Sequence, residues 1–480
     1  MIPTRLTSII HARQARRFCF IMRPSNQKSK DMSHPSNNQS GSDKASNRKD
    51  QQVKSTRRRF IQSSSTAMAA GIVVPQFIVK EKGFAANDDT IRVGLIGCGG
   101  RGTGAASQAM KADSNVMLTA MGDMYADRLD VSHNALKKAA EDKIQVTPEN
   151  KFTGFDAYKK VLESGVDLVI LATPPGFRPM HLRAAVDAGK HIFCEKPMAT
   201  DAPGLRSVIA SAADAKAKKL ALVAGFCWRY NYARRELYDR IHNGAIGDVR
   251  SIYATYYTGP VKPMPADDTR AAGMSDLDWQ VRNWYNFTWL SGDSLVEQAI
   301  HSVDKIAWCM KDEPPIKAVA TGGRQTPNNS GNIFDHFAVY YEYANGLRAY
   351  LGSRQIAGCH NENSDYIHGA TGIGEILGWT RVQIRGQENW RFRGKNNDMY
   401  QTEHDELFES IRKGNPINDG EWMTSSTMMG LMGRMAAYTG KEITWEQAMN
   451  SQEKLVPDFF EPNMDLPIRP MSMPGVTPFV

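Results

Sequence analysis

A glycine string, Gly97-Cys98-Gly99-Gly100-Arg101-Gly102, constrains this chain more than any other feature, because it sits directly between an apolar run ending at Ile96 and a helical pattern. In that position the G-x-G-x-x-G spacing predicts the phosphate turn of a dinucleotide fold. Gly97 permits the tight turn, Gly99 lets backbone approach a pyrophosphate, and Gly102 allows close helix packing, with Gly100 and Arg101 in the same loop. A glycine string alone is weak evidence. Here Asp123 ends the next apolar run, 26 residues after Gly97, where a carboxylate bonds the adenosine ribose hydroxyls and repels a 2′-phosphate. NAD is therefore the expected cofactor, with Arg101 and Arg128 keeping NADP as the alternative.

The surrounding pattern fixes the fold class. Apolar, β-branched runs at 90–97, 116–123, 166–173, 191–195 and 221–226 alternate with helical patterns at 125–141, 157–164, 178–188 and 202–218. This is the signature of strands buried on both faces of a doubly wound parallel sheet. After about residue 243 the strands become longer and alternating (249–258, 318–322, 334–343, 347–355, 381–385), and Asn345-Gly346 predicts a hairpin turn with both residues at positive φ. Helices at 293–310, 403–413 and 424–439 are expected to cover that second sheet. The fold class is α/β: an N-terminal Rossmann sheet over 88–230, then a C-terminal α+β domain over 231–450 with a largely antiparallel sheet. A proline-rich tail over 451–480 wraps the surface or reaches a neighbouring subunit.

The net charge of +8 suggests nucleic acid only until its location is considered. Residues 1–86 carry 16 Lys/Arg against 4 Asp/Glu, so the rest of the chain is net acidic and has no basic footprint for a phosphate backbone. Residues 1–55 read as a disordered leader, with Met32 a candidate start. Residues 56–86, with Arg57-Arg58, Phe60, an apolar stretch and Ala85-Ala86, read as a twin-arginine signal recognised by the twin-arginine translocase, which implies an exported, periplasmic protein. That apolar stretch is too short for a stable membrane span. A basic tail without a targeting role is the bland alternative.

A second constellation lies at later strand ends, with Thr173-Pro174-Pro175 followed by His181, then Glu195-Lys196-Pro197. Ligands bind at this carboxyl edge in such sheets. Together, the glycine loop, Asp123, the Thr-Pro-Pro loop and Glu-Lys-Pro resemble the Gfo/Idh/MocA family of oxidoreductases over about residues 90–445. The resemblance implies that Lys196 contacts the reacting hydroxyl and the cofactor, with Thr173, Pro174, Pro175, His181 and Glu195 beside it. It also implies hydride transfer to or from a sugar or polyol, and a homo-oligomer.

A third element runs from Gly292 to Asp304. Read as one helix, it puts Glu297, His301 and Asp304 on a common face at i, i+4 and i+7. It is similar to the family's Asp-x-x-x-His-x-x-Asp helix, which makes His301 the acid/base, Glu297 its carboxylate neighbour and Asp304 a supporting group. This chain departs from that pattern in having Glu at 297. Glu297 with His301 offers two metal ligands and no third, so no metal is expected. Arg229, Tyr230 and Trp289 are candidates for the substrate wall, with Trp284, Tyr285 and His404 behind them. Two rival functions share these residues: an NAD-dependent glycosidase acting by oxidation and elimination, and a dinucleotide-binding module without chemistry.

Overall fold

The computed structural model describes residues 89–326 and 329–480; the leader expected over 1–55 and the twin-arginine segment expected over 56–86 lie outside the described residues. Six strands form the first sheet: β1 (Ile91–Ile96), β2 (Val116–Asp123), β3 (Lys151–Thr153), β4 (Leu168–Leu171), β5 (His191–Cys194) and β6 (Leu222–Ala224). Their order is β3-β2-β1-β4-β5-β6, every pair parallel. Every residue of β4, β5 and β6 is buried, so these strands read as unbroken apolar runs. The chain reverses direction across the sheet between β1 and β4, and a ligand crevice opens beyond the strand ends at that point. Gly97, Thr173, Lys196 and Gly225 all follow strand ends at this edge.

The second sheet has nine strands. These are β7 (Val249–Thr258), β8 (Lys317–Gly323), β9 (His336–Glu342), β10 (Arg348–Gln355), β11 (Asp365–Gly369), β12 (Gly372–Leu377), β13 (Arg381–Gly386), β14 (Trp390–Arg391) and β15 (Ile443–Thr444). All neighbours are antiparallel except β7 with β10. At the β9–β10 turn only Gly346 takes a positive φ (+80°), which corrects the expectation for Asn345. Asn345 instead turns the chain with its side chain, which accepts the Leu347 N–H at 3.0 Å.

Helices Ile300–Cys309 and Gly420–Thr439 contribute Ile300, Val303, Leu431 and Met435 to one apolar cluster shared with both sheets. Helix Met399–Arg412 does not cover the second sheet as expected. Its Leu407, Phe408 and Ile411 pack with Val93, Leu118 and Phe193 on the Rossmann sheet. The tail beyond Pro457 has neither helix nor strand. It lies over the segment around 277–290, with the Gln280 amide donating to the Leu466 carbonyl at 2.6 Å, and Phe460 stacked on Phe155 and Trp289. No described helix is long and apolar enough to cross a membrane.

The wholly buried Arg434 joins these parts, donating to the Thr200 carbonyl at 2.5 Å and pairing with Glu453 at 2.7 Å. Removing one partner of such a pair leaves the other groups unsatisfied. Arg434→Met is expected to cost about 3 kcal/mol or more of stability, read as a lower urea midpoint with a native far-UV spectrum. An unchanged midpoint would mean that water satisfies Thr200 and Glu453 equally well.

Candidate functional site

A cavity of about 590 Å³ runs along the carboxyl edge of the Rossmann sheet and beneath the second sheet. Gly97, Gly99, Gly100 and Arg101 line it from the glycine loop, Thr173, Pro174, Pro175 and His181 from the segment after β4, and Glu195 and Lys196 from the end of β5. Glu297 and His301 line it from the second half. The structure thus brings together all of these expected residues. Gly102 lies behind the lining, and its role is packing, since a Cβ there would fall 2.0 Å from the Gly97 carbonyl oxygen.

The glycines fit a dinucleotide. Gly97 has φ +99°, and a Cβ on it would meet the backbone of Ala172 and Thr173 at 2.6 Å. Gly99 and Gly100 face open space within 4 Å, and Gly99 precedes the first turn of helix Gly100–Ala112, where backbone N–H groups attract phosphate. Asp123 accepts the Cys98 N–H at 2.7 Å and the Tyr125 N–H at 2.9 Å, which fixes its carboxylate at the cavity. Burial pushes Asp123 above the usual carboxylate range against those two bonds. Arg101 lies 2.7 Å from a Glu195 carboxylate oxygen and bonds Gln108 at 2.7 Å, so its charge already has a carboxylate partner at the cavity.

At the other end Lys196, whose side chain is 9% exposed, pairs with the Glu297 carboxylate at 2.9 Å and also donates to the Glu297 backbone carbonyl. This second bond corrects the expected continuous helix. In a regular helix the Glu297 carbonyl would accept the His301 N–H. Here His301 N–H turns to the Gln298 carbonyl at 3.3 Å, and the segment splits into Ser294–Glu297 and Ile300–Cys309. Glu297 is therefore the partner of Lys196 and not of His301. Asp304 is held by Arg229 at 2.8 Å and by the Ser426 hydroxyl at 2.7 Å, a structural role.

His301 is buried, with Nδ1 unpartnered among the described residues, as is Glu297 Oε2. Burial, followed by the positive charges of Lys196, Lys305 and Arg234, holds the imidazole well below its ordinary pKa. It is held in the neutral form, with Nδ1 carrying no hydrogen bond among the described residues. His181 is pushed down to about 3 by burial and by Arg178, and its ring bonds the Thr173 hydroxyl at 3.1 Å. It shapes the loop without carrying charge.

Three expected wall residues lie elsewhere, each because its buried polar group has another partner. Arg229 is spent on Asp304 and Asp312, the Tyr230 hydroxyl bonds Asp419 at 3.1 Å, and the Trp289 indole bonds Gln280 at 2.8 Å. His404 is buried against Phe193. Trp284 and Tyr285 do line the cavity, joined by Trp228, Tyr256, Gln298 and Trp379, which the sequence reading missed. Trp228 is one position from Arg229; nothing in the one-dimensional pattern distinguishes which of the two faces inward. Trp379 sits in a turn, where no periodicity exists to read.

A model of an oxidoreductase family with an NAD-binding Rossmann fold, GFO_IDH_MocA, matches residues 91–223, and the GFO/IDH/MocA C-terminal domain model matches residues 235–375. An inositol 2-dehydrogenase from Saccharopolyspora erythraea is 25% identical over 259 residues, 54% of this chain and 65% of that protein. An inositol 2-dehydrogenase from Rhizobium meliloti is 24% identical over 350 residues, 69% of this chain and 93% of that protein. The chain thus spans about two-thirds of the first relative's length and nearly all of the second's. The crystal structure of an aldose-aldose oxidoreductase from Caulobacter crescentus covers 74% of this chain and 99% of its own, with TM-score 0.58 at 19% identity, a likeness of fold.

Gly97→Ala tests the cradle. Strain at that φ and contact with Ala172 and Thr173 are expected to weaken dinucleotide binding by about tenfold or more, measured by titrating the stripped protein with NAD, while circular dichroism stays native. Unchanged affinity would place the phosphates elsewhere.

Proposed function

The chain belongs to the Gfo/Idh/MocA family of oxidoreductases, and on that premise we propose that it transfers hydride to or from a sugar or polyol. The observation that carries this is the buried Lys196–Glu297 pair beside a neutral His301, at one end of a cavity whose other end is the glycine loop and Asp123. When bound, the dinucleotide supplies the hydride acceptor or donor. Gly97, Gly99, Gly100, Asp123 and the Thr173–Pro175 loop are the residues that would hold it. Lys196, steadied by Glu297, donates a hydrogen bond to the reacting substrate oxygen, and His301 takes the hydroxyl proton in oxidation or returns it in reduction. Asp123, with Arg101 occupied by Glu195, supports NAD over NADP.

The glycosidase reading is not favoured, because the matches to inositol dehydrogenases extend over most of the chain. A binding module without chemistry leaves the buried Lys196 and the unpartnered His301 without a use.

Replacing His301 with Ala is expected to lower turnover about 10² to 10⁴-fold while NAD binding stays near wild type. Near-normal turnover from pH 6 to 9 would remove His301 from the mechanism.

Export by the twin-arginine route, the reading of Arg57-Arg58, goes with a cofactor loaded before translocation and retained, since that route carries folded proteins. Contacts at the adenosine end support retention. The Tyr125 hydroxyl bonds Asp278 at 3.0 Å, and Arg282 lies 3.9 Å over the Tyr125 ring and pairs with Asp127 at 3.2 Å. Helix Asp276–Arg282 is thereby tied to the segment following Asp123, and a departing dinucleotide would have to loosen it. Protein purified from the periplasm is expected to release dinucleotide on denaturation and to turn over paired sugars, one oxidised and one reduced, with none added. A folded, nucleotide-free protein active only with supplied NAD would defeat retention.

A further inference from the structure

Trp379 is 56% exposed, yet its turn and its ring both have partners in the protein. It sits in the tight turn between β12 and β13, where Gly378 takes φ +61° and donates its N–H to the Ser364 hydroxyl at 3.1 Å. The Trp379 carbonyl accepts from the buried Arg234 guanidinium at 3.3 Å. Its indole meets Trp228 edge-on, centroids 5.3 Å apart at 68°. Trp228 in turn lies nearly parallel to the His301 ring at 6.0 Å and 19°, and its face is covered by Arg234 at 4.1 Å and Lys305 at 4.2 Å. A rigid aromatic series therefore leads from the acid/base histidine outward, and both indoles line the same cavity.

Leaving a large indole in water forgoes the free energy of burying it, and an indole set against Trp228 on a turn whose backbone is tied to Ser364 and Arg234 points to a ligand that covers it. The ring being oxidised must lie at His301 and Lys196. Trp379 is one indole further out, too far to serve that ring and placed to serve the next one. A pyranose presents a face of C–H groups that packs flat on an indole, while its hydroxyls remain solvated at the rim. We propose that Trp379 forms an outer subsite for a second pyranose ring, so that the substrate class of this cleft is a glycoside of two or more sugar units instead of a free monosaccharide. This rests on the sugar reading given above.

The test uses the full chain with its dinucleotide and compares a monosaccharide panel with disaccharides built from the same units, such as maltose, cellobiose and trehalose. Wild type is expected to prefer at least one disaccharide, chiefly through KM. In Trp379→Ala the ratio of disaccharide to monosaccharide kcat/KM is expected to fall about fivefold or more, and Trp379→Phe to recover much of it. Calorimetric titration of that disaccharide into His301→Ala reads the subsite without turnover, and the double variant with Trp379→Ala is expected to lose the binding. An equal effect on mono- and disaccharides, or a change only in sedimentation, would overturn the subsite and assign Trp379 to general packing or to a subunit contact. If no sugar is turned over but the disaccharide still binds in a Trp379-dependent manner, the hydride-transfer reading fails and the subsite stands.

Discussion

An ammonium group removed from water must meet a carboxylate, and in this protein the two come from opposite halves of the chain. Lys196 follows a Rossmann strand and Glu297 lies 101 residues later, at 2.9 Å. Breaking such a pair costs about 3–5 kcal/mol, so the strand end and the second half are fixed against each other at the cleft. The same ammonium takes the Glu297 carbonyl out of the helical ladder. That diversion accompanies the break between Glu297 and His301 and separates their partners: Glu297 holds the lysine, and His301 Nδ1 is left without one among the described residues.

What was legible in the sequence follows from this. Strands buried on both faces leave long apolar runs, so β1, β2, β4 and β5 stand out, as do the glycine loop and Asp123. Strands of two or three residues, β3, β14 and β15, leave too few positions for any period to register, while β6 is legible only because it lies inside the longer apolar run 221–226. The parallel pairing of β7 with β10 is a long-range choice with no local signature. The helix break was hidden for a physical reason. Val296, Ile300 and Val303 keep a helical apolar stripe across it, while the cause of the break is a side chain from a distant strand.

The misplaced wall residues teach the same lesson about polar groups. Arg229, Tyr230 and Trp289 have the chemistry of a sugar cleft, but each is also a polar group on a large buried body, and such groups must be hydrogen-bonded where they lie. Asp304, Asp419 and Gln280 supply those bonds, and the first two lie 75 and 189 residues from their partners. Composition can nominate aromatic and cationic residues for a site. The positions of those acceptors drew these three away from it, while Trp228 and Trp379 reach it held by ring contacts with each other, Arg234 and Lys305.

Charge around His301 ties these pieces together. Lys196, Lys305 and Arg234 all act on the imidazole, and burial adds to them, so a proton on His301 is costly. The field that keeps His301 neutral would also stabilise a substrate oxygen that becomes negative as its proton leaves, and donors preset in a water-poor cleft act strongly on such charge. Under the proposed hydride transfer, this field keeps His301 deprotonated and favours the alkoxide, while it opposes the proton that His301 would take up. Arg234 has a further part in it, since it lies over Trp228 and also bonds the Trp379 carbonyl. A guanidinium that adds to the field on His301, after burial, Lys196 and Lys305, thus also contacts the outer wall of the cleft.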